Sequence, residues 1–98
     1  MKRLNDVLLD ILLREKTPAL TTHVVLGFPT LRESIEIVRT MANSGAALIE
    51  LQIPFSDPIG DGPTIMHANT VSLGQGVTPR DCMRAMRQLA RSVQTPLL

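Results

Sequence analysis

Ninety-eight residues, 44% of them hydrophobic, suffice for one small domain (residues 1–98) with a modest core and exclude a disordered tail. Ten basic and nine acidic residues leave a net charge of +1, and with no basic block, no Tyr and no Trp the chain lacks the clustered cations and stacking rings of a nucleic-acid surface. The single cysteine, Cys82, excludes an intrachain disulfide and a cysteine-cluster zinc site, as expected for a protein of the reducing cytoplasm.

Leu4, Val7, Leu8, Ile11 and Leu12 follow the i, i+3, i+4, i+7, i+8 spacing of an amphipathic helix, which Pro18 ends. Asn5, Asp6 and Asp10 interrupt its apolar residues, so it does not read as a signal peptide. No apolar run approaches the ~20 residues that cross a membrane. Ala19 to Leu26 is β-branched and apolar and predicts a first strand, and Gly27-Phe28-Pro29 turns the chain. Thr30, with Glu33 three residues on, has the pattern of a capping box. The helix it opens is expected to bury Leu31, Ile35, Val38, Met41 and Ala42 and to end at Asn43-Ser44-Gly45, with Gly45 left-handed.

Ala46 to Ile53 predicts a second strand, followed by a loop rich in Pro, Gly and Asp. Pro63 suits the first turn of a short helix through Ala68, and Gly74-Gln75-Gly76 breaks the chain. Thr78 is the candidate N-cap of a further helix, with Pro79 at its first position and a buried stripe of Cys82, Ala85, Met86, Leu89 and Val93. Pro96-Leu97-Leu98 resembles the start of a third strand cut short, so an incomplete chain is expected. Strand, helix, strand, helix, strand implies parallel strands joined by right-handed crossovers, in an open doubly wound sheet or a barrel; periodicity does not choose between them.

The stretch from Ile49 to Gly62 carries the chemistry. Glu50 interrupts an apolar strand, and a carboxylate buried in a parallel sheet costs several kcal/mol unless paired or protonated. It reads either as a strand-end Glu reaching solvent or a cation, or as a proton donor whose pKa an apolar setting raises. Asp61, eleven positions on, reads as an N-cap that can also present an oxygen to a substrate. Asp57 before Pro58 reads as a turn residue.

A strand Glu, then Pro54-Phe55-Ser56-Asp57-Pro58, then Asp61-Gly62-Pro63, closely resembles the signature of the tryptophan synthase α-subunit. The opening helix, Gly27-Phe28-Pro29, Ser44-Gly45-Ala46, Pro63-Thr64-Ile65 and Gly76-Val77-Thr78 extend the resemblance over essentially the whole chain. It implies a (βα)8 TIM barrel, of which this chain holds the first two βα units and the start of strand three. A barrel of this type needs about 200 residues or more and places its chemistry at the C-terminal ends of its strands.

The activity implied is lyase cleavage of indole-3-glycerol phosphate to indole and glyceraldehyde 3-phosphate in L-tryptophan biosynthesis. Glu50 matches the general acid that protonates the indole carbon, and Asp61 the carboxylate that stabilises charge at the indole nitrogen. Pro54, Asp57 and Pro58 match the loop that faces a β-subunit in an α2β2 complex. Pyridoxal phosphate belongs to that partner; no cofactor or metal is expected in this chain. The phosphate-binding loops of the family lie in later strands.

Two residues depart from the family pattern near the indole site: His23 replaces an aromatic ring and Gln52 replaces Gly. Gln52 shares the face of Glu50, fills space a flat ring needs and is expected to hydrogen-bond the Glu50 carboxylate, which slows cleavage. Two other readings follow: a catalytically impaired α-like chain that binds and activates a β-subunit, and a different phosphate-handling barrel or doubly wound protein. The Glu50 and Asp61 pair disfavours the last.

Overall fold

Strand β1 (Thr21–Val25) leads through helix α1 (Leu31–Asn43) to strand β2 (Leu48–Gln52), and helices α2 (Gly62–Gly74) and α3 (Pro79–Ser92) follow. This is the arrangement in a computed structural model, which describes residues 3–7, 9, 19–56 and 60–98. Residues 4–7 and 9 are helical, as expected for the opening helix, whereas Leu8, Ile11, Leu12 and Pro18 lie outside the described residues. β1 and β2 pair in parallel, with Thr21 opposite Leu48 and Val25 opposite Gln52. On the far edge of β2, Leu97 forms a parallel bridge to Ile49, and the Leu51 N–H donates to the Leu98 carbonyl at 2.8 Å. The expected third strand therefore begins beside β2.

Both named strands are shorter than the apolar runs that predict them. The Leu26 N–H still reaches the Gln52 carbonyl (3.0 Å), but the chain then turns through Gly27 at φ +94°. Only glycine fits there, because the conformation is left-handed and a Cβ would lie 2.0 Å from the Ser72 Oγ. At the other strand, Ala46 belongs to the helix exit: its N–H closes on the Met41 carbonyl, and Gly45 is left-handed as expected.

The core forms where one face of the sheet meets α1 and α3. Val24, Ile49 and Leu51 from the strands bury against Val38 of α1 and Cys82 and Leu89 of α3, with Leu26, Val77 and Val93 closing the cluster. Leu31, Ile35, Met41, Ala42 and Met86 pack partly buried around it. The expected apolar stripes therefore hold, except that Val93 caps α3 from outside the helix. Ser34 is an addition that periodicity does not reveal: fully buried, it accepts the Gly27 N–H and donates to the Leu31 carbonyl.

The Thr30–Glu33 capping box is half realised. The Thr30 hydroxyl accepts the Glu33 N–H at 3.1 Å, but the Glu33 carboxylate takes the Thr30 hydroxyl rather than its backbone N–H. The complete box is at α3, where Thr78 and Asp81 satisfy each other's backbone N–H.

Helix α2 corrects the short helix expected to stop at Ala68; it continues to Gly74. Its extension is held by tertiary ties that no local pattern announces. The Ser72 hydroxyl donates to the Leu26 carbonyl at 2.7 Å, and Gln75, just past the helix end, donates to the Pro29 carbonyl. These bonds seat α2 over the C-terminal end of β1.

Candidate functional site

Side chains alternate along β2, and burial shows which way each faces. Ile49 and Leu51 are buried under the helices, while Glu50 is exposed and Gln52 half-buried on the opposite face. In the parallel register His23 stands opposite Glu50, so β1 contributes to the same face. Four hydrogen-bonding side chains meet at the C-terminal end of this face. His23 Nε2 lies 2.8 Å from Gln52 Oε1. Gln52 Nε2 donates to Asp61 Oδ2 (3.2 Å) and to Asn69 Oδ1 (3.2 Å). Asn69 Oδ1 also accepts the Phe55 N–H (3.1 Å), and Asn69 Nδ2 donates to the Ile65 carbonyl (2.8 Å).

The expected acids occupy different settings. Glu50 is exposed on the open sheet face, and its carboxylate makes no hydrogen bond or ion pair with a described residue. The apolar surroundings expected around Glu50 are not assembled by the described residues. Asp61 stands at the N-cap position of α2, as its spacing before Gly62-Pro63 suggests, but its side chain makes no capping bond. Its backbone is already helical (φ −77°, ψ −19°), which turns the carboxylate away from the helix N–H groups and toward Gln52. The expected bond from Gln52 to Glu50 is therefore not made: both amide hydrogens go to Asp61 and Asn69.

Asn69 is the residue that sequence reasoning missed. It is only 1% exposed and sits mid-helix, where an Asn without a cap or turn to serve is unfavourable. That misplacement is the signal by which it could have been found. Pro54 is buried, Phe55 beside it is 48% exposed, and Asp57 and Pro58 lie outside the described residues.

A cavity of about 470 Å³ opens between β1, α1 and the first turns of α2, lined by His23, Phe28, Ile37, Met41, Ile65 and His67 among others. Phe28 and His67 meet edge to face across it, ring centres 5.8 Å apart. Its walls suit a flat apolar group. Of the four linked side chains only His23 lines it; Glu50 and Asp61 lie outside it. Among the described residues no group of three or more His, Cys, Asp or Glu side chains could hold a metal ion. No helix among them is long and apolar enough to cross a membrane.

A family profile described as "Tryptophan synthase alpha chain" matches residues 9–98. The tryptophan synthase alpha chain of Syntrophotalea carbinolica is 44% identical over 86 residues, covering 88% of this chain and 34% of its own length. That of Chloroflexus aggregans is 46% identical over 81 residues, covering 82% and 30%. Among solved structures, the tryptophan synthase subunit alpha of Legionella pneumophila superposes with a TM-score of 0.90 at 28% identity, over 99% of this chain and 37% of that one. A chain of the Pyrococcus furiosus tryptophan synthase complex gives 0.75 at 30% identity, over 81% and 32%. The chain thus spans about a third of the length of the curated relatives it matches. Its β1–α1–β2–α2–α3 order and parallel sheet are those of the N-terminal portion of their (βα)8 barrel. With the profile match over nearly its whole length, the chain belongs to the tryptophan synthase alpha chain family.

Proposed function

We propose that a full-length barrel carrying this chain cleaves indole-3-glycerol phosphate to indole and glyceraldehyde 3-phosphate, with Glu50 as general acid and Asp61 as second carboxylate. The carbon–carbon bond breaks only if indole departs neutral, so the ring carbon bearing the glycerol phosphate must first gain a proton. Glu50 donates it; the remaining strands of a closed barrel supply the apolar surroundings that keep such an acid protonated. Positive charge then develops at the ring nitrogen, and Asp61 stabilises it. A base takes the side-chain hydroxyl proton, the aldehyde carbonyl forms, and the electrons of the broken carbon–carbon bond return the ring to neutral indole in a retro-aldol cleavage. The observation that carries this reading is that Asp61, at an N-cap position, makes no cap bond and instead joins Gln52 on the sheet face that bears Glu50. His23 and Gln52 border the substrate on the same face.

The partner is a β-subunit, met by the loop of Pro54, Asp57 and Pro58, in an α2β2 assembly in the cytoplasm. Pyridoxal phosphate belongs to that subunit. Support comes from the Pyrococcus furiosus neighbour, a chain of a tryptophan synthase complex.

The test is Glu50→Gln in the full-length chain, assayed for indole release. The amide keeps the shape and cannot donate the proton, so turnover falls by the ~10²–10⁴-fold that general acid catalysis contributes, with an unchanged melting temperature. Retention of more than about a tenth of wild-type turnover removes Glu50 from the role.

A further inference from the structure

The amide network at the end of β2 has a polarity that two backbone groups dictate. The Phe55 N–H can only donate and the Ile65 carbonyl can only accept, so Asn69 must turn Oδ1 to the first and Nδ2 to the second. Asn69 Oδ1 then requires a donor from Gln52, which places the Gln52 amide nitrogen toward Asn69 and leaves its second hydrogen for the Asp61 carboxylate. Gln52 Oε1 faces the other way and can only accept, so His23 carries its proton on Nε2. Every assignment follows from the buried Asn69.

We propose that Asn69 is a positioning residue for Asp61, acting through Gln52, so that helix α2 aims the carboxylate as well as bearing it. This rests on the reading of Asp61 as the second catalytic carboxylate. Asp61 has no cap bond to orient it, and Gln52 is the described side chain that holds it. Gln52 would itself be free to rotate without Asn69 on one side and His23 on the other. The bulk introduced at position 52 is thereby a support for Asp61 rather than an obstruction, which reverses the effect expected from sequence. Asn69 touches no reacting atom, and its influence is on geometry, where a displacement of about 1 Å can cost as much as 10²-fold in rate.

The experiment is a double-mutant cycle in the full-length chain, with indole release from indole-3-glycerol phosphate and thermal unfolding both measured. Asn69→Ala and Gln52→Gly are each expected to lower kcat about tenfold, with KM changed less than about twofold in Asn69→Ala, and the double variant to be no slower than either, because one link is cut in all three. The melting temperature, in contrast, falls with Asn69→Ala in both backgrounds, since the Phe55 N–H and Ile65 carbonyl lose their partner either way. Losses in kcat that multiply, or an unchanged kcat in Gln52→Gly, overturn the proposal; the latter decides it even if Asn69→Ala does not fold. Asp61→Asn is run beside them. If it is inactive while the cycle is silent, only the positioning role fails; if it is fully active, the reading of Asp61 fails and takes this proposal with it.

Discussion

Helix α3 begins at Thr78, whose hydroxyl accepts the Asp81 N–H while the Asp81 carboxylate accepts the Thr78 N–H. Helix α2 begins at Asp61, whose carboxylate leaves its own helix for Gln52. The two are of similar length, 13 residues for α2 and 14 for α3, but α3 buries Cys82, Ala85 and Leu89 along one face and exposes Arg80, Arg84, Arg87 and Arg91. α2 has no such division: its buried residues are Ala68, Asn69 and Ser72, two of them polar and each with a named partner. α3 obeys local rules because its task is to cover the sheet. α2 breaks them because its polar side chains hold the turn after β1 and the loop after β2, the two segments that shape the site. Local inconsistency of this kind is a marker of function.

Leu89 is fully buried at the centre of the α3 contact. Leu89→Ala should cost about 2–5 kcal/mol of stability, lost transfer energy plus a cavity, with turnover of the folded fraction unchanged. Urea unfolding measures the first and the indole assay the second. A loss of kcat per folded molecule would mean that α3 also shapes the site.

Ser72→Ala asks the same of α2. It strands the buried Leu26 carbonyl and is expected to cost about 1–3 kcal/mol, a penalty as large as many apolar truncations although only one oxygen is removed. A cost well below 1 kcal/mol, read from the unfolding midpoint, would mean that α2 is not held by this tie.

The smallest effect is the pH dependence of the α3 cap. Bonds from the Thr78 N–H and hydroxyl hold the Asp81 carboxyl below the usual carboxylate range, with Arg84 adding a smaller pull. Because the folded value is the lower one, the unfolded chain binds the proton first as pH falls. The stability that Asp81 contributes is therefore complete above the ordinary carboxylate value of about 4 and is lost as pH drops through the depressed value. Comparing the unfolding midpoints of wild type and Asp81→Asn between pH 7 and pH 3 isolates this loss. A constant difference across that range would mean the box is not titrating. Cys82 gives no comparable signal near neutrality, since burial pushes its thiol up.

Much of this was legible in the residues. Val38, Cys82 and Leu89 fall at the positions that helical spacing assigns to the core, and Gly45 takes the left-handed exit its place after Asn43-Ser44 suggests. Asp61 stands at the N-cap position, and Glu50 lies on the face opposite Ile49 and Leu51. What was not legible involves pairs far apart in sequence. His23 and Gln52 are 29 residues apart, Gln52 and Asn69 are 17, and Leu26 and Ser72 are 46. No local propensity encodes such a bond, so the local pattern ends α2 at Ala68 and does not single out Asn69.

By itself, the sequence determined the alternation of strand and helix, the apolar faces and the family, because periodicity, turn residues and the run from Glu50 to Pro63 are properties of neighbours along the chain. The tertiary structure alone decided that Gln52 serves Asp61 rather than Glu50. A side-chain amide has a donor end and an acceptor end, and which way it turns depends on what the fold sets on each side: here an acceptor-only carboxylate and an Asn69 oxygen whose orientation two backbone groups have already settled.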